Sequence, residues 1–359
     1  MGPTPMIAAL ARPAPPVEEA WLEVVRAQVT HSLGELLELP DEVRLDTQWA
    51  RALEQVRAYV ARPAWHGRAA LMLAGYCLAR GSTTVPARLW RFAAGLELLH
   101  VARAIHDEVM GPPCLGALSP VLSPGSTGDH LAVVVGDHLF ARALETMLGT
   151  SLPGATQAGQ YCLRLARTSA VGDYRMRQGG ALAGQGGVRQ TLRLVQLRVV
   201  RDGLASALVC GALLAGADEP LRLRLARVGC NAGLARELNE ELSRLLGPSG
   251  DFVQGHCTFP LVAAWSRARP EAREELEALW RLPPEHKDAG VLARVRDVVE
   301  EAGGRLATER LMARATHGAN RALGTLPHAQ GLRELLRALI GQLTPRPSTP
   351  RMVSRGEAP

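Results

Sequence analysis

The sequence predicts an all-α protein, and its composition, its helical periodicity and the scarcity of β-branched runs all indicate this fold class. Of its 359 residues, 47% are hydrophobic and only 4% are aromatic. Alanine, leucine, arginine and glutamate dominate, and these residues favour helices. Residues 133–135 form the clearest β-branched run. Because the helical segments follow one another through short loops, we expect one bundle of about a dozen helices around a central apolar cavity.

The central element is the segment 88–111, which is long enough for about six helical turns. Its apolar residues recur mostly three and four positions apart, which is the spacing of a buried helix face. A second stripe on one side of the same helix carries Glu97, His100 and Asp107. Acids and histidines on so apolar a helix predict a polar lining inside the bundle, which other helices must face.

The other helices are predicted in chain order from the same apolar periodicity. Their expected ranges are 17–37, 46–60, 69–79, 131–148, 157–168, 192–215, 220–246, 271–281, 289–302, 305–323 and 329–342. Glycine and proline predict loops at 111–128, 178–187 and 247–250, of which the first is a candidate lid over the polar stripe. We expect a single helical domain over residues 18–343, between disordered tails at 1–17 and 344–359.

Charge and cysteine usage argue against several classes of function. The net charge is +6, but no cluster of basic and aromatic residues indicates a nucleic-acid partner. The six cysteines lack the spacing of a zinc site and are typical of reduced thiols in the cytoplasm. The longest apolar run, 205–217, is shorter than the roughly 20 residues that span a bilayer. We therefore expect a cytoplasmic protein without a transmembrane segment.

Two acidic groups are candidate sites for a divalent cation. Asp107 and Glu108 follow the polar stripe, and Glu240 and Glu241 lie on the predicted helix 220–246. Acids that project from two facing helices bind Mg²⁺ in helical bundles, and Mg²⁺ on a diphosphate stabilises the charge of a leaving group. The alternative is that these acids are solvated or ion-paired helix ends. A third polar group consists of the steps Gly136-Asp137, Gly172-Asp173 and Gly255-His256.

Five landmarks in order resemble the trans-type polyprenyl diphosphate synthase family over about residues 45 to 342. They are Glu97-Leu98-Leu99-His100, the run His106 to Gly111, Gly136-Asp137, Gly233-Leu234-Ala235 with Glu240-Glu241, and the run Gly255 to Pro260. The resemblance implies an isoprenoid-synthase-type bundle, Mg²⁺ as cofactor, and allylic and homoallylic prenyl diphosphates as ligands. It also implies a homodimer, or a heteromer with an active synthase.

The resemblance also assigns roles to individual residues. It implies that Asp107 and Glu108 are catalytic and bind metal. It implies further metal ligands at Glu240 and Glu241. The substrate-binding residues that it implies are Arg68, His100 and His256.

Several positions depart from the family pattern. Glu108 replaces an aspartate of the first motif, and Gly111 stands where its last acid is expected. The final aspartate of the second motif falls on Arg244. The family's lysine before Arg68 falls on Trp65, and its Lys-Thr pair falls on residues 203–204. Because Mg²⁺ demands strict geometry, a carboxylate moved by one methylene and the missing basic residues predict impaired or altered catalysis.

Three functions remain open at this point. The first is a prenyltransferase that condenses prenyl diphosphates. The second is a non-catalytic family member that acts as a partner subunit or binds an isoprenoid, which the missing basic residues favour. The third is a terpene-cyclase-like enzyme on the same fold, indicated by the spacing of Asn239 and Ser243, although the expected acid falls on Gly247.

Overall fold

A computed structural model describes residues 17–38, 47–62, 66–110, 126–177, 182, 187–247, 250–327 and 330–343. This part of the chain contains helices, turns and loops but no strand, which confirms the predicted all-α class. A π-helix, Gln196–Ala205, joins α7 to α8, and a 3₁₀ turn, Pro284–His286, precedes α12. The α-helices are α1 Val17–Leu36, α2 Thr47–Val60, α3 Gly67–Arg80, α4 Ala87–Met110, α5 Ser126–Gly149, α6 Ala155–Arg177, α7 Gly187–Val195, α8 Ser206–Leu214, α9 Glu219–Arg244, α10 Phe259–Arg267, α11 Pro270–Trp280, α12 Ala289–Glu301, α13 Gly304–Gly324 and α14 Gln330–Leu343.

The observed helices agree with most of the predicted ranges, but no predicted range covers α10, α7 begins at the end of the predicted loop 178–187, and three other places differ. The single helix expected over 192–215 is divided by the π-helix, inside which Gly203 has φ −89° and ψ −113°. A glycine and a π-segment are known causes of a helix kink. Helix α6 continues nine residues past its predicted end at 168, and α5 begins inside the predicted loop 111–128.

Some predictions concern residues outside the described ranges. The expected disordered tails lie there, apart from residue 17, which begins α1. So do most of the glycine-rich loop 178–187 and residues 111–125 of the candidate lid.

Helix α4 is the centre of the largest core cluster. Its residues Phe92 and Ile105 are completely buried, as the apolar periodicity predicted, and Leu98, which lies outside the predicted stripe, is buried as well. The helix packs along α5 and also contacts α1 and α3. The polar stripe of α4 is therefore held in a fixed position relative to these three helices.

Helices α3 and α8 cross at unusually close range. A Cβ atom on Gly75 would overlap the backbone carbonyl of Leu208, and one on Gly211 would overlap that of Met72. Glycine at both positions lets the two backbones approach, and this contact anchors α3, whose first turn carries Arg68.

Helix α9 brings the second acidic group to the same region. Its N-terminus is capped by Asp218, whose Oδ1 accepts a hydrogen bond from the backbone N–H of Leu221. The helix packs against α13, α8 and the π-helix, and its last turns lie next to α10. No described helix is sufficiently long and apolar to cross a membrane.

Candidate functional site

Arg68 emerges from a first turn of α3 that is held in place by a buried acid of α4. The side chain of Glu97 is 2% exposed, and its Oε1 accepts a hydrogen bond of 2.7 Å from the N–H of Ala69. The N–H of Arg68 also donates to this carboxylate. His66 occupies the N-cap position of α3, but its side chain accepts no hydrogen bond from the first turn. Glu97 provides the missing acceptor from another helix. The polar stripe of α4 is thus partly structural.

The guanidinium of Arg68 lies in an environment that disfavours its charge. Burial is the largest cause that lowers its pKa from 12.5 to about 10, and repulsion from Arg236 and Arg103 adds to it. Attraction to Glu97 and Glu240 raises the pKa, but by less than burial and repulsion lower it. Among the described residues, no carboxylate is within ion-pair distance of this group. An anion next to Arg68 would therefore be strongly favoured.

His100 lies within electrostatic reach of these arginines and is neutral. Burial lowers its pKa well below the ordinary value, and repulsion from Arg68, Arg103 and Arg236 lowers it further. The side chain of His100 is only partly buried, so solvent still reaches it. We refer to Arg68, His100, Arg103 and Arg236 as the arginine cluster. Its members come from α3, α4 and α9. A bound anion would relieve the repulsion between their positive charges.

Arg103 is the member of the cluster that joins α4 to α6. Its Nη2 donates to Ser169 Oγ at 2.8 Å and lies 3.5 Å from Asp173 Oδ2. Asp173 belongs to the second Gly-Asp step, so this step serves to orient an arginine. Nothing in the sequence pattern pairs Arg103 with a residue 70 positions away, although an arginine in so apolar a helix is itself a signal.

The end of α9 carries a chain of ion pairs. Arg236 Nε contacts Glu240 Oε1 at 2.6 Å, and Arg244 Nη2 lies 3.9 Å from Glu240 Oε2. Arg244 Nε lies 3.9 Å from Asp251 Oδ2, and Asp251 Oδ1 lies 3.4 Å from His256 Nδ1. The predicted substrate residue His256 is thereby connected to α9 through Asp251.

Glu241 points away from Glu240 and has a structural contact. It is 1% exposed, and its Oε2 accepts a hydrogen bond of 3.0 Å from the backbone N–H of Phe259. Phe259 is the first residue of α10, so Glu241 caps that helix from α9 just as Glu97 caps α3. The predicted pair of metal ligands Glu240 and Glu241 is therefore separated in space.

His106 faces α5 rather than the arginine cluster. Its Nε2 lies 3.4 Å from Asp137 Oδ1 and 3.3 Å from the carbonyl oxygen of Val133. A Cβ atom on Gly136 would overlap the His106 ring. The first Gly-Asp step therefore provides both the space and a polar partner for this histidine.

The described acids do not fit a magnesium site on α9. Glu240 is already paired with two guanidinium groups, and Glu241 is buried against α10. At an effective dielectric constant of 20, unit charges 4 Å apart repel by about 4 kcal/mol, and a divalent ion would meet roughly twice that from each arginine. Asp107 is exposed on α4. Within the described ranges, no three His, Cys, Asp or Glu side chains converge as a metal-binding group.

Comparison with curated proteins finds relatives of one kind. The chain is 30% identical over 196 residues to heptaprenyl diphosphate synthase component 2 of Geobacillus stearothermophilus, which covers 52% of this chain and 58% of that protein. It is 30% identical over 243 residues to geranylgeranyl diphosphate synthase of Mycobacterium tuberculosis, which covers 62% and 66%. The chain thus spans less than two thirds of the length of each relative. No family model matches it.

Solved structures match over almost the whole chain. The polyprenyl synthase of Caulobacter crescentus, in complex with calcium and isoprenyl diphosphate, is 25% identical with a TM-score of 0.69 and covers 92% of this chain and 96% of its own. The polyprenyl synthetase of Streptomyces coelicolor is 23% identical with a TM-score of 0.73 and covers 91% and 99%. These matches show that the chain has the all-helical fold of the polyprenyl synthases, and the curated proteins it resembles are polyprenyl and geranylgeranyl diphosphate synthases.

Proposed function

We propose that this polyprenyl diphosphate synthase-like protein binds the diphosphate group of a prenyl substrate at the arginine cluster. The observation that carries the proposal is Arg68, a partly buried cation whose pKa is lowered to about 10. Among the described residues it has no ion-pair partner. Arg103 and Arg236 lie within electrostatic reach, and His100 is a neutral hydrogen-bonding group among them. Guanidinium groups match phosphate oxygens in geometry and charge.

The proposed reaction class is prenyl transfer between an allylic and a homoallylic diphosphate, with impaired or altered catalysis. Mg²⁺ is the metal that the family implies, and solved relatives contain calcium or magnesium. Glu240 and Glu241 are engaged in other contacts, so α9 offers no free pair of acids for a metal ion. Asp107, together with Glu108, is the remaining candidate for a metal ligand. Arg68 and His100 would orient the homoallylic diphosphate.

A binding titration tests the first part. Isopentenyl diphosphate should bind the full chain, and Arg68→Gln should weaken binding by about tenfold to a hundredfold, because a charge-assisted hydrogen bond contributes about 1.5–3 kcal/mol. Arg80→Gln, on the exposed last turn of the same helix, is the matched control and should bind normally. Equal affinity of the wild type and Arg68→Gln would refute the proposed site.

An activity assay tests the second part. The protein is incubated with Mg²⁺, labelled isopentenyl diphosphate and each allylic diphosphate in turn, and the products are separated by chain length. Longer chains would establish prenyl transfer. Release of diphosphate from an allylic substrate alone, with a cyclic product, would support the cyclase alternative instead.

A second candidate function is that of a partner subunit for an active synthase. The acids engaged elsewhere favour it, and one relative is named as component 2 of a heptaprenyl diphosphate synthase. Assembly as a homodimer or a heteromer belongs to this proposal, and α5 and α6 expose apolar side chains that would suit it, among them Val134, Leu148, Val171 and Tyr174. Light scattering after size exclusion checks the homodimer. A heteromer predicts that adding this chain raises the activity of a co-expressed synthase. Cytoplasmic localisation is part of the same proposal.

A further inference from the structure

We propose that Arg236 and Arg244 hold the substrate diphosphate directly, in place of a divalent metal ion at α9. This inference rests on the proposed function and concerns how the diphosphate is held. Diphosphate binding on this side of the bundle would then be independent of Mg²⁺.

The carboxylate of Glu240 is bracketed by the two guanidinium groups. Arg236 Nε contacts Oε1 at 2.6 Å, and Arg244 Nη2 lies 3.9 Å from Oε2. A divalent ion on either oxygen would lie beside a fixed positive charge. Since Glu241 is buried against α10, Glu240 is the only acid of this motif that solvent reaches.

Both arginines keep donors for a ligand. An arginine carries five N–H donors, and within the described residues the hydrogen bond of Arg236 uses Nε alone. The Arg236 side chain is 40% exposed, so solvent and a ligand can reach it. The contacts of Arg244 to Glu237, Glu240 and Asp251 are 3.5–3.9 Å long, which is longer than a good hydrogen bond. A phosphate oxygen can therefore replace them.

The two arginines differ in their electrostatic surroundings. Nearby acids, first Glu237 and then Asp251, raise the pKa of Arg244 despite its burial, so Arg244 stays charged. Arg236 belongs to the arginine cluster and repels Arg68. A diphosphate between α3 and α9 would be attracted by Arg68 and Arg236 together and would relieve the repulsion between them, while Arg244 would contact it from the end of α9.

Calorimetric titration of the full chain with inorganic diphosphate tests the inference. Affinity in EDTA should equal or exceed that in Mg²⁺, because the metal itself binds free diphosphate. Arg236→Gln and Arg244→Gln should each weaken binding by about tenfold or more, and Arg244→Lys should lose less because it keeps the charge. Arg80→Gln again serves as the unaffected control. Binding that requires Mg²⁺ would overturn the inference and leave the proposed function standing.

The variant Glu240→Gln separates the two possibilities with opposite outcomes. If Glu240 binds a metal, the variant loses affinity for diphosphate in Mg²⁺, which would contradict our inference. If the arginines bind the diphosphate, the variant binds equally well or more tightly, because a competing carboxylate has been neutralised. Thermal unfolding monitored by circular dichroism verifies that each variant is folded. Absence of binding of inorganic and prenyl diphosphates under all conditions would refute the proposed function as well.

Discussion

At the scale of single residues, His66 shows how the N-terminus of α3 depends on a neutral imidazole. Its φ of 84° lies in the left-handed region, and its Nε2 is 2.9 Å from Thr30 Oγ1. Burial lowers its pKa from 6.5 to about 4, and repulsion from Arg26 contributes to the shift. His66 immediately precedes the turn that carries Arg68. A change in its protonation state would therefore affect the backbone that positions Arg68.

The lowered pKa of His66 predicts a loss of stability in acid. Between pH 6.5 and about 4 the unfolded chain binds a proton at His66 that the folded chain does not. The contribution of the neutral imidazole to the free energy of unfolding is therefore complete above pH 6.5 and is lost as the pH falls to about 4. The total is about 3 kcal/mol by the usual conversion of a pKa shift. Urea unfolding at pH 7.5 and pH 4.5 should show a smaller acid loss in His66→Gln than in the wild type.

Two comparisons make this prediction specific. His31 is exposed on α1, so His31→Gln is the control for the loss of an exposed imidazole. An equal acid loss in wild type and His66→Gln would show that another group is responsible.

At the scale of elements, α3 and α10 begin with caps that come from other helices. Glu97 of α4 accepts the N–H of Ala69, and Glu241 of α9 accepts the N–H of Phe259. A buried N–H without an acceptor costs about 1–3 kcal/mol, so these acids stabilise the helix starts. Both acids belong to motifs that otherwise indicate metal or substrate binding. Their role as helix caps explains an acidic residue at each position without a bound metal.

Removing the Glu97 cap should destabilise the protein and disturb Arg68. We expect Glu97→Ala to lower the free energy of unfolding by about 1–3 kcal/mol, because the N–H groups of Arg68 and Ala69 lose their acceptor. Glu97→Gln should cost less, since the amide oxygen still accepts. Glu23→Ala, at an exposed position of α1, is the control for loss of a carboxylate. Urea denaturation measures all three, and equal stability of Glu97→Ala and the wild type would refute the capping role.

At the scale of the whole molecule, the crossing of α3 and α8 fixes where the arginine cluster can form. Gly75 and Gly211 allow backbone-to-backbone contact, with the carbonyls of Leu208 and Met72 directly opposite. Backbone atoms cannot move aside as a flexible side chain can, so the two helices would have to separate to admit any larger residue. Because Arg68 lies on α3, a separation would also move the proposed site.

A single added methyl group at this crossing should be costly. We expect Gly211→Ala to destabilise the protein by about 1–3 kcal/mol through overpacking, although alanine is the better helix former. Gly34 lies in α1, where an added methyl group would have no neighbouring atom within 4 Å, so Gly34→Ala should be neutral or stabilising by up to about 1 kcal/mol. Thermal unfolding of the two variants compares the same chemical change at a closed and an open site. A Gly211→Ala protein as stable as Gly34→Ala would contradict the close crossing.

Much of the fold follows from local pattern. The apolar spacing that identified α4 depends only on which residues recur every three or four positions, and Phe92 and Ile105 are buried as that spacing predicts. Helix ends are less well determined, because the π-helix around Gly203 depends on packing against α6 and α9 as well as on local propensity. The all-α class and the resemblance to polyprenyl diphosphate synthases could therefore be predicted from the sequence, whereas the kink could not.

The site itself divides in the same way. The residue types and order of the landmarks indicate Arg68 and His100 as candidate binding residues, and the arginine at position 244, where an acid is expected, is visible in the sequence. Only the tertiary structure decides that Arg103 and Arg236 join them, because electrostatic interactions between α3, α4 and α9 depend on distances that chain spacing does not encode. The same packing turns Glu97 and Glu241 into helix caps, since a buried carboxylate bonds to whichever donors the neighbouring helix presents.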